Sequence, residues 1–290
     1  ELSSDAGEAM ELFGKVHARI QRLWRIREQD IPVIKISHEV EDVAEIFRRL
    51  NQAGTRVKEA DVYLALAAVR NPGWVRGQYL PFRNDLDDRG WDLDAGVFIR
   101  TMTGIGCGRA RLAEVPKDFW SEDNLPGVWS RTSQAIADVL RRLAEFGITT
   151  ADLLPSANAL IPLFVLHERW GSHAHYRFGR ALRWFLLASR DGRYSGSAIT
   201  NLNEDVRTIT DADDFDVMIE SLLERLRIEP TIDDTEFLNR YDRSGSRFLR
   251  LLLYLVMFRR GAHDWVDGTR LGIYFKASSS LSFCSFLPMV

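Results

Sequence analysis

The strongest constraint in this chain is the spacing of its apolar side chains, which return every three or four residues in one segment after another. Met10, Phe13, Val16, Ile20 and Leu23 follow that period within 5–28, and Val43, Ile46, Phe47 and Leu50 repeat it within 41–52. A period near 3.6 places such residues on one stripe of an α-helix, where burial rewards them together. Further helices are predicted over 58–69, 128–146, 156–170, 174–190, 196–209, 213–227 and 244–260. Gly54, Gly147, Gly171, Gly192 and Gly261 stand at or just past helix ends, as C-terminal caps do. One stretch breaks the pattern. Ile31 to Ser37 alternates apolar and polar residues and reads as a strand, with Pro32 confining its start to a sheet edge. The predicted class is therefore mainly α, with one clear strand near the N-terminus. Residues 71–125, rich in Gly, Pro, Asp and Trp, are expected to form short helices and loops, with a boundary near 71.

The chain has 290 residues, enough to bury a core without disulfides or metals. Its two cysteines, Cys107 and Cys284, have no CxxC spacing and form no disulfide framework, which fits a reducing cytoplasm. No run of 18 apolar residues exists, so no membrane partner is expected, and no signal peptide is visible. The chain begins at Glu1 without Met, as an excised fragment would. Net charge is only −3, but its distribution is uneven. Between Arg169 and Arg193 six arginines face one acid, Asp191, and between Glu204 and Glu236 twelve acids face three arginines. Such asymmetry marks either a binding face or two solvated helical surfaces.

Several residue groups invite a chemical reading. Arg177, Arg180 and Arg183 recur every third residue, interleaved with Tyr176, Phe178 and Trp184. Guanidinium groups at that spacing lie on neighbouring parts of one helix face and suit a DNA phosphate backbone, while the aromatics read as core. His167, His173 and His175 cluster, but lack the converging acidic or thiolate partner of a metal site. They read as exposed loop histidines, the alternative being a metalloenzyme of unrelated type. Gly104 to Gly108 lacks the lysine and the strand–loop–helix order of a phosphate loop and reads as a flexible turn. Glu45, Glu59 and the acids from Asp211 to Asp216 read as solvated surface. In Glu45 to Glu59, an apolar stripe leads to Asn51 and a sharp Gly54-Thr55 turn, whose free N–H groups open the next helix and could hold an anion.

This last segment carries a family resemblance. Phe47-Arg-Arg-Leu-Asn51, Gly54-Thr55 and Glu59 resemble the F-x-R-L-N-x-x-G-T stretch of GmrSD-type restriction endonucleases. Arg183 to Ser195 and Phe248 to Gly268 look like the same family, in the same order. The resemblance implies a ParB-like nucleotide-hydrolysing domain, a helical middle and an HNH nuclease, acting in antiviral defence against foreign, often modified, DNA. On that pattern residues 1–70 are the last part of a ParB-like α/β domain. Residues 71–272 are a helical connecting and DNA-contact domain, and 273–290 a truncated or degenerate nuclease start. Asn51, Gly54 and Thr55 would line a nucleotide or anion pocket, and Arg177, Arg180 and Arg183 would touch duplex DNA. Nucleotide and Mg²⁺ are expected of the full-length family but not of this chain alone. The family's Asp-Gly-Gln-Gln-Arg motif is absent. Where its nuclease carries paired histidines, Leu281 to Pro288 has Cys284 and Ser285. Serine offers no general base at neutral pH, and a thiolate is a soft ligand poorly matched to Mg²⁺. The expectation is a helical protein without a complete catalytic centre and with no metal site, either a fragment or degenerate member of that family or an inactive interaction or regulatory module. Homo-oligomers are compatible with both.

Overall fold

The computed structural model describes residues 6–29, 58–196, 199–228, 247–263 and 268–271. The chain divides into two compact units, residues 1–43 and 44–290. The predicted strand over 31–37, the helix over 41–52 and the segment from 273 onward lie outside the described residues. Among those described there is no sheet; the only β contact is an isolated bridge between His263 and Arg270.

The first unit contributes α1, Ala6–Arg27. It forms where the apolar period predicts, but its stripe is open: Met10, Phe13, Leu23 and Trp24 are all more than 60% exposed.

In the second unit, α2 (Glu59–Arg70) carries Glu59 and Asp61 in its first turn and Arg70 in its last, the charge order that a helix dipole favours. Asn71-Pro72-Gly73 ends it. Pro72 cannot continue the helix, and Asn71 ties the end down, donating from its side-chain amide to the carbonyls of Ala67 (3.2 Å) and Trp120 (2.8 Å). A π-helical turn, Val75–Tyr79, runs into α3, Leu80–Asp88. Trp74 and Tyr79 are buried there and meet Trp129 and Phe98 edge to face, the geometry that ring quadrupoles prefer.

The centre is built by α4 (Ala95–Cys107) and α6 (Leu160–Trp170) packed on one another. Asp94 caps α4, accepting from the Val97 N–H at 3.2 Å. In α6, Leu160, Ile161, Leu163, Phe164, Val165 and Leu166 are fully buried. A helix apolar on every side has to be enclosed, and α6 is enclosed by α4, α5 (Leu125–Glu145), α7 (Phe178–Arg190) and α8 (Ile199–Asp211). Each large apolar side chain so buried contributes about 1.5–3 kcal/mol. The surrounding helices are amphipathic and turn one face inward, as Val128, Thr132, Ile136, Val139 and Leu143 do on α5. Helix α9 (Phe215–Glu224) packs on α7 and α8, capped by Asp214, which accepts from the Val217 N–H at 2.9 Å. Helix α10 (Arg247–Arg259) buries Phe248, Leu249, Leu251 and Tyr254 and leaves Val256 and Met257 exposed.

Residues 71–125 hold more helix than the Gly- and Pro-rich composition suggests. Gly104 to Gly108, predicted as a flexible turn, is instead the last turn and cap of α4. Gly104 lets α6 approach: a Cβ there would lie 2.7 Å from Val165 Cγ2. Gly108 ends the helix at φ 67°, in the left-handed region that glycine enters without cost. The apparent loop motif is a packing surface.

Candidate nucleic-acid interface

Of the three arginines predicted to share a helix face, only two lie inside α7. Arg177 precedes it in extended conformation, donating from Nη1 to the carbonyls of Ala174 (2.7 Å) and Tyr176 (2.9 Å). Arg180 is turned inward on charge. It pairs with Asp216 and, at 3.0 Å, with Glu220, both on α9, and lies over the Phe215 ring. Arg183 is exposed on α7. Among the described residues no carboxylate lies within 4.0 Å of Arg177 or Arg183. The interleaved aromatics are core, as predicted: Tyr176, Phe178 and Trp184 are all buried.

The basic and acidic stretches thus meet each other in part, rather than forming two separate solvated faces. Their deepest contact is a cluster that the residue spacing did not single out. Asp205 of α8 is fully buried and accepts four hydrogen bonds. Arg193 donates from Nε (2.6 Å) and Nη2 (2.9 Å), Tyr194 from its hydroxyl (2.6 Å) and Arg225 from Nη1 (3.0 Å). The carboxylate raises the pKa of Arg193, and burial raises that of Tyr194, so both donors keep their protons. A carboxylate with its acceptor sites filled by two cations and a phenol is one way to bury a charge tolerably. The signal was present: Asp205 takes a core position in the stripe Leu202, Val206, Ile209. An acid inside an apolar stripe requires a partner. Asn203 on the same helix clamps the loop after α4, its Oδ1 accepting from the N–H groups of Ala110 (2.8 Å) and Arg111 (2.9 Å).

The histidines separate. His173 and His175 are exposed, as predicted, and His175 lies 3.7 Å from Asp216. His167, within the predicted helix 156–170 but expected to be exposed, is buried near the end of α6, its Nδ1 2.9 Å from the Tyr176 hydroxyl. The correction follows from the apolar character of α6 on every side, which draws even its one imidazole inward. Burial, and then the nearby Arg142, lower its pKa, favouring the neutral ring. Among the described residues no group of three or more His, Cys, Asp and Glu converges as metal ligands. Glu59 pairs with Arg100 at 2.9 Å. Burial pushes the Cys107 thiol up to about 11, away from the thiolate that nucleophilic chemistry needs.

No family model, no curated protein and no solved structure matches this chain. Asn51, Gly54 and Thr55, the residues carrying the strongest resemblance, lie outside the described residues. No helix among the described residues is long and apolar enough to cross a membrane. The described surface offers two exposed arginines, Arg177 and Arg183, without a carboxylate within 4.0 Å among the described residues. That arrangement is suited to holding a polyanion.

Proposed function

We propose that the helical unit is the DNA-contacting and domain-coupling part of a modification-dependent DNA restriction protein of the GmrSD type, acting in cytoplasmic phage defence. In this reading the chain contributes phosphate contacts and positioning, while nucleotide turnover and strand cleavage belong to other parts of such a protein. The observation that carries it is the fate of the basic stretch. Arg180 and Arg193 are used up internally on Asp216, Glu220 and Asp205, whereas Arg177 and Arg183 stay exposed without a carboxylate. Guanidinium groups so placed suit phosphate oxygens, which they grip with paired donors.

The test is a salt titration of duplex DNA binding by fluorescence anisotropy. Each phosphate neutralised contributes a log–log slope of about −0.9. The double variant R177Q/R183Q is expected to flatten the slope by about 1.8, two phosphates' worth. R180Q is expected to leave it unchanged, since that guanidinium faces α9. Absence of duplex binding at low salt, or a slope indifferent to R177Q/R183Q, would overturn the proposal.

A second reading, an inactive helical interaction module, is favoured by α1, whose apolar stripe is exposed along its length. It predicts self-association in light scattering that Phe13→Glu with Ile20→Glu abolishes, and no dependence of function on Arg177 or Arg183.

A further inference from the structure

A cleft of about 370 Å³ opens between α5 and the C-terminal end of α6, away from Arg183 in sequence and on different helices. Its size falls in the range of roughly 300–1,000 Å³ typical of small-ligand sites. On one side Arg131, Gln134, Asp138 and Arg142 follow helical spacing along α5; on the other are His167, Glu168 and Ser172.

Two arginines and two carboxylates line it, but the pairing leaves one guanidinium out. Arg131 takes Glu168 at 2.8 Å, and Asp138 is held at 3.2 Å by Arg141, which lies outside the cleft and also pairs with Glu145 at 3.5 Å. Arg142 is left without a carboxylate within 4.0 Å among the described residues. Its Nε is buried and makes no hydrogen bond. Its guanidinium carbon lies 5.4 Å from the centroid of the Phe178 ring, which fixes the group's position without neutralising it. A half-buried cation in this state lacks the compensation that buried charges normally find. His167 adds a neutral donor. The Tyr176 hydroxyl lies 2.9 Å from His167 Nδ1, and with that hydroxyl assigned as the donor the ring proton is on Nε2. Gln134 brings an amide. The cleft also meets the carbonyl end of α6, whose partial negative charge opposes anions, a dianion about twice as strongly as a monoanion.

We propose that this cleft binds a small monoanionic oxyanion, a phosphodiester or a carboxylate, with Arg142 as its counter-charge and Gln134 and His167 as neutral donors. The site is independent of Arg177 and Arg183, so it stands or falls apart from the DNA-backbone reading.

The experiment is calorimetric titration of the 290-residue chain with dimethyl phosphate and, separately, with acetate, ionic strength being held constant with chloride. Binding of dimethyl phosphate alone assigns a phosphodiester; binding of acetate alone assigns a carboxylate; binding of both supports the shared chemistry. R142Q is expected to weaken binding about tenfold or more, the scale of one charge-assisted pair. Ser172→Glu places a rival carboxylate at the exposed cleft mouth, and is expected to abolish binding with the far-UV dichroism unchanged. It decides the matter if R142Q fails to fold. Binding of neither anion, or equal binding by wild type, R142Q and Ser172→Glu, overturns the proposal.

Discussion

Replacing Asp205 by Asn tests whether the buried ionic cluster holds the basic and acidic stretches together. The substitution keeps the shape of the side chain but removes its charge. It also turns an amide donor toward Arg193, Tyr194 and Arg225, which are all donors to this site. The Arg193 side chain is only 7% exposed, so water cannot take over from the lost carboxylate. Removing one partner of a buried pair costs about 3–5 kcal/mol, because the other is left as an uncompensated charge. At about 2–4 °C per kcal/mol for a unit of this size, the midpoint should fall by about 6–20 °C. Urea unfolding followed by far-UV circular dichroism measures this directly: the midpoint concentration should drop while the slope stays constant, the mark of lost stability in an unaltered fold. The double variant D205N/R193M removes both charges and should be less destabilised than the sum of the singles, by a coupling of about 0.5–3 kcal/mol. If D205N loses less than about 1 kcal/mol, or the singles simply add, the cluster is not the clamp described and the reasoning fails.

Three further outcomes follow from the packing around α4 and α6. Gly104→Ala should destabilise by about 1–3 kcal/mol in the same assay, since the added methyl would sit 2.7 Å from Val165 Cγ2 and overpack the α4–α6 contact; a neutral result would mean that the helices can separate freely. The folded state lowers the pKa of His167, so the unfolded chain binds the proton more readily. The resulting stability is present above the ordinary histidine value of about 6.5 and is lost as pH falls through it. His167→Gln should remove that component of the pH dependence of unfolding, and an identical profile in the variant would refute the assignment. Cys107, with its thiol pushed up to about 11, should resist iodoacetamide at pH 8 in the folded protein and react once unfolded, as peptide mass spectrometry would read out.

Local periodicity was enough to place most of the described helices. The predicted spans 128–146 and 244–260 differ by only a few residues from α5 and α10, because an apolar stripe of period 3.6 has no other regular way to be buried. The same pattern assigned Tyr176, Phe178 and Trp184 to the core. It did not reveal what each polar residue faces. Arg180 and Arg183 are three residues apart and look alike in sequence, yet one ends on Asp216 and Glu220 and the other in solvent. Likewise Gly104 to Gly108 looked like a loop because composition registers only the missing side chains, not the Val165 and Thr210 atoms that occupy their space. What the chain determined alone was a mainly α-helical architecture and the uneven placing of its charge. Which arginines are spent, how Asp205 is satisfied, and why Arg142 is left without a counter-ion were settled by contacts between residues far apart in sequence. Coulombic and hydrogen-bond partners are set by distance in space, which no local spacing encodes.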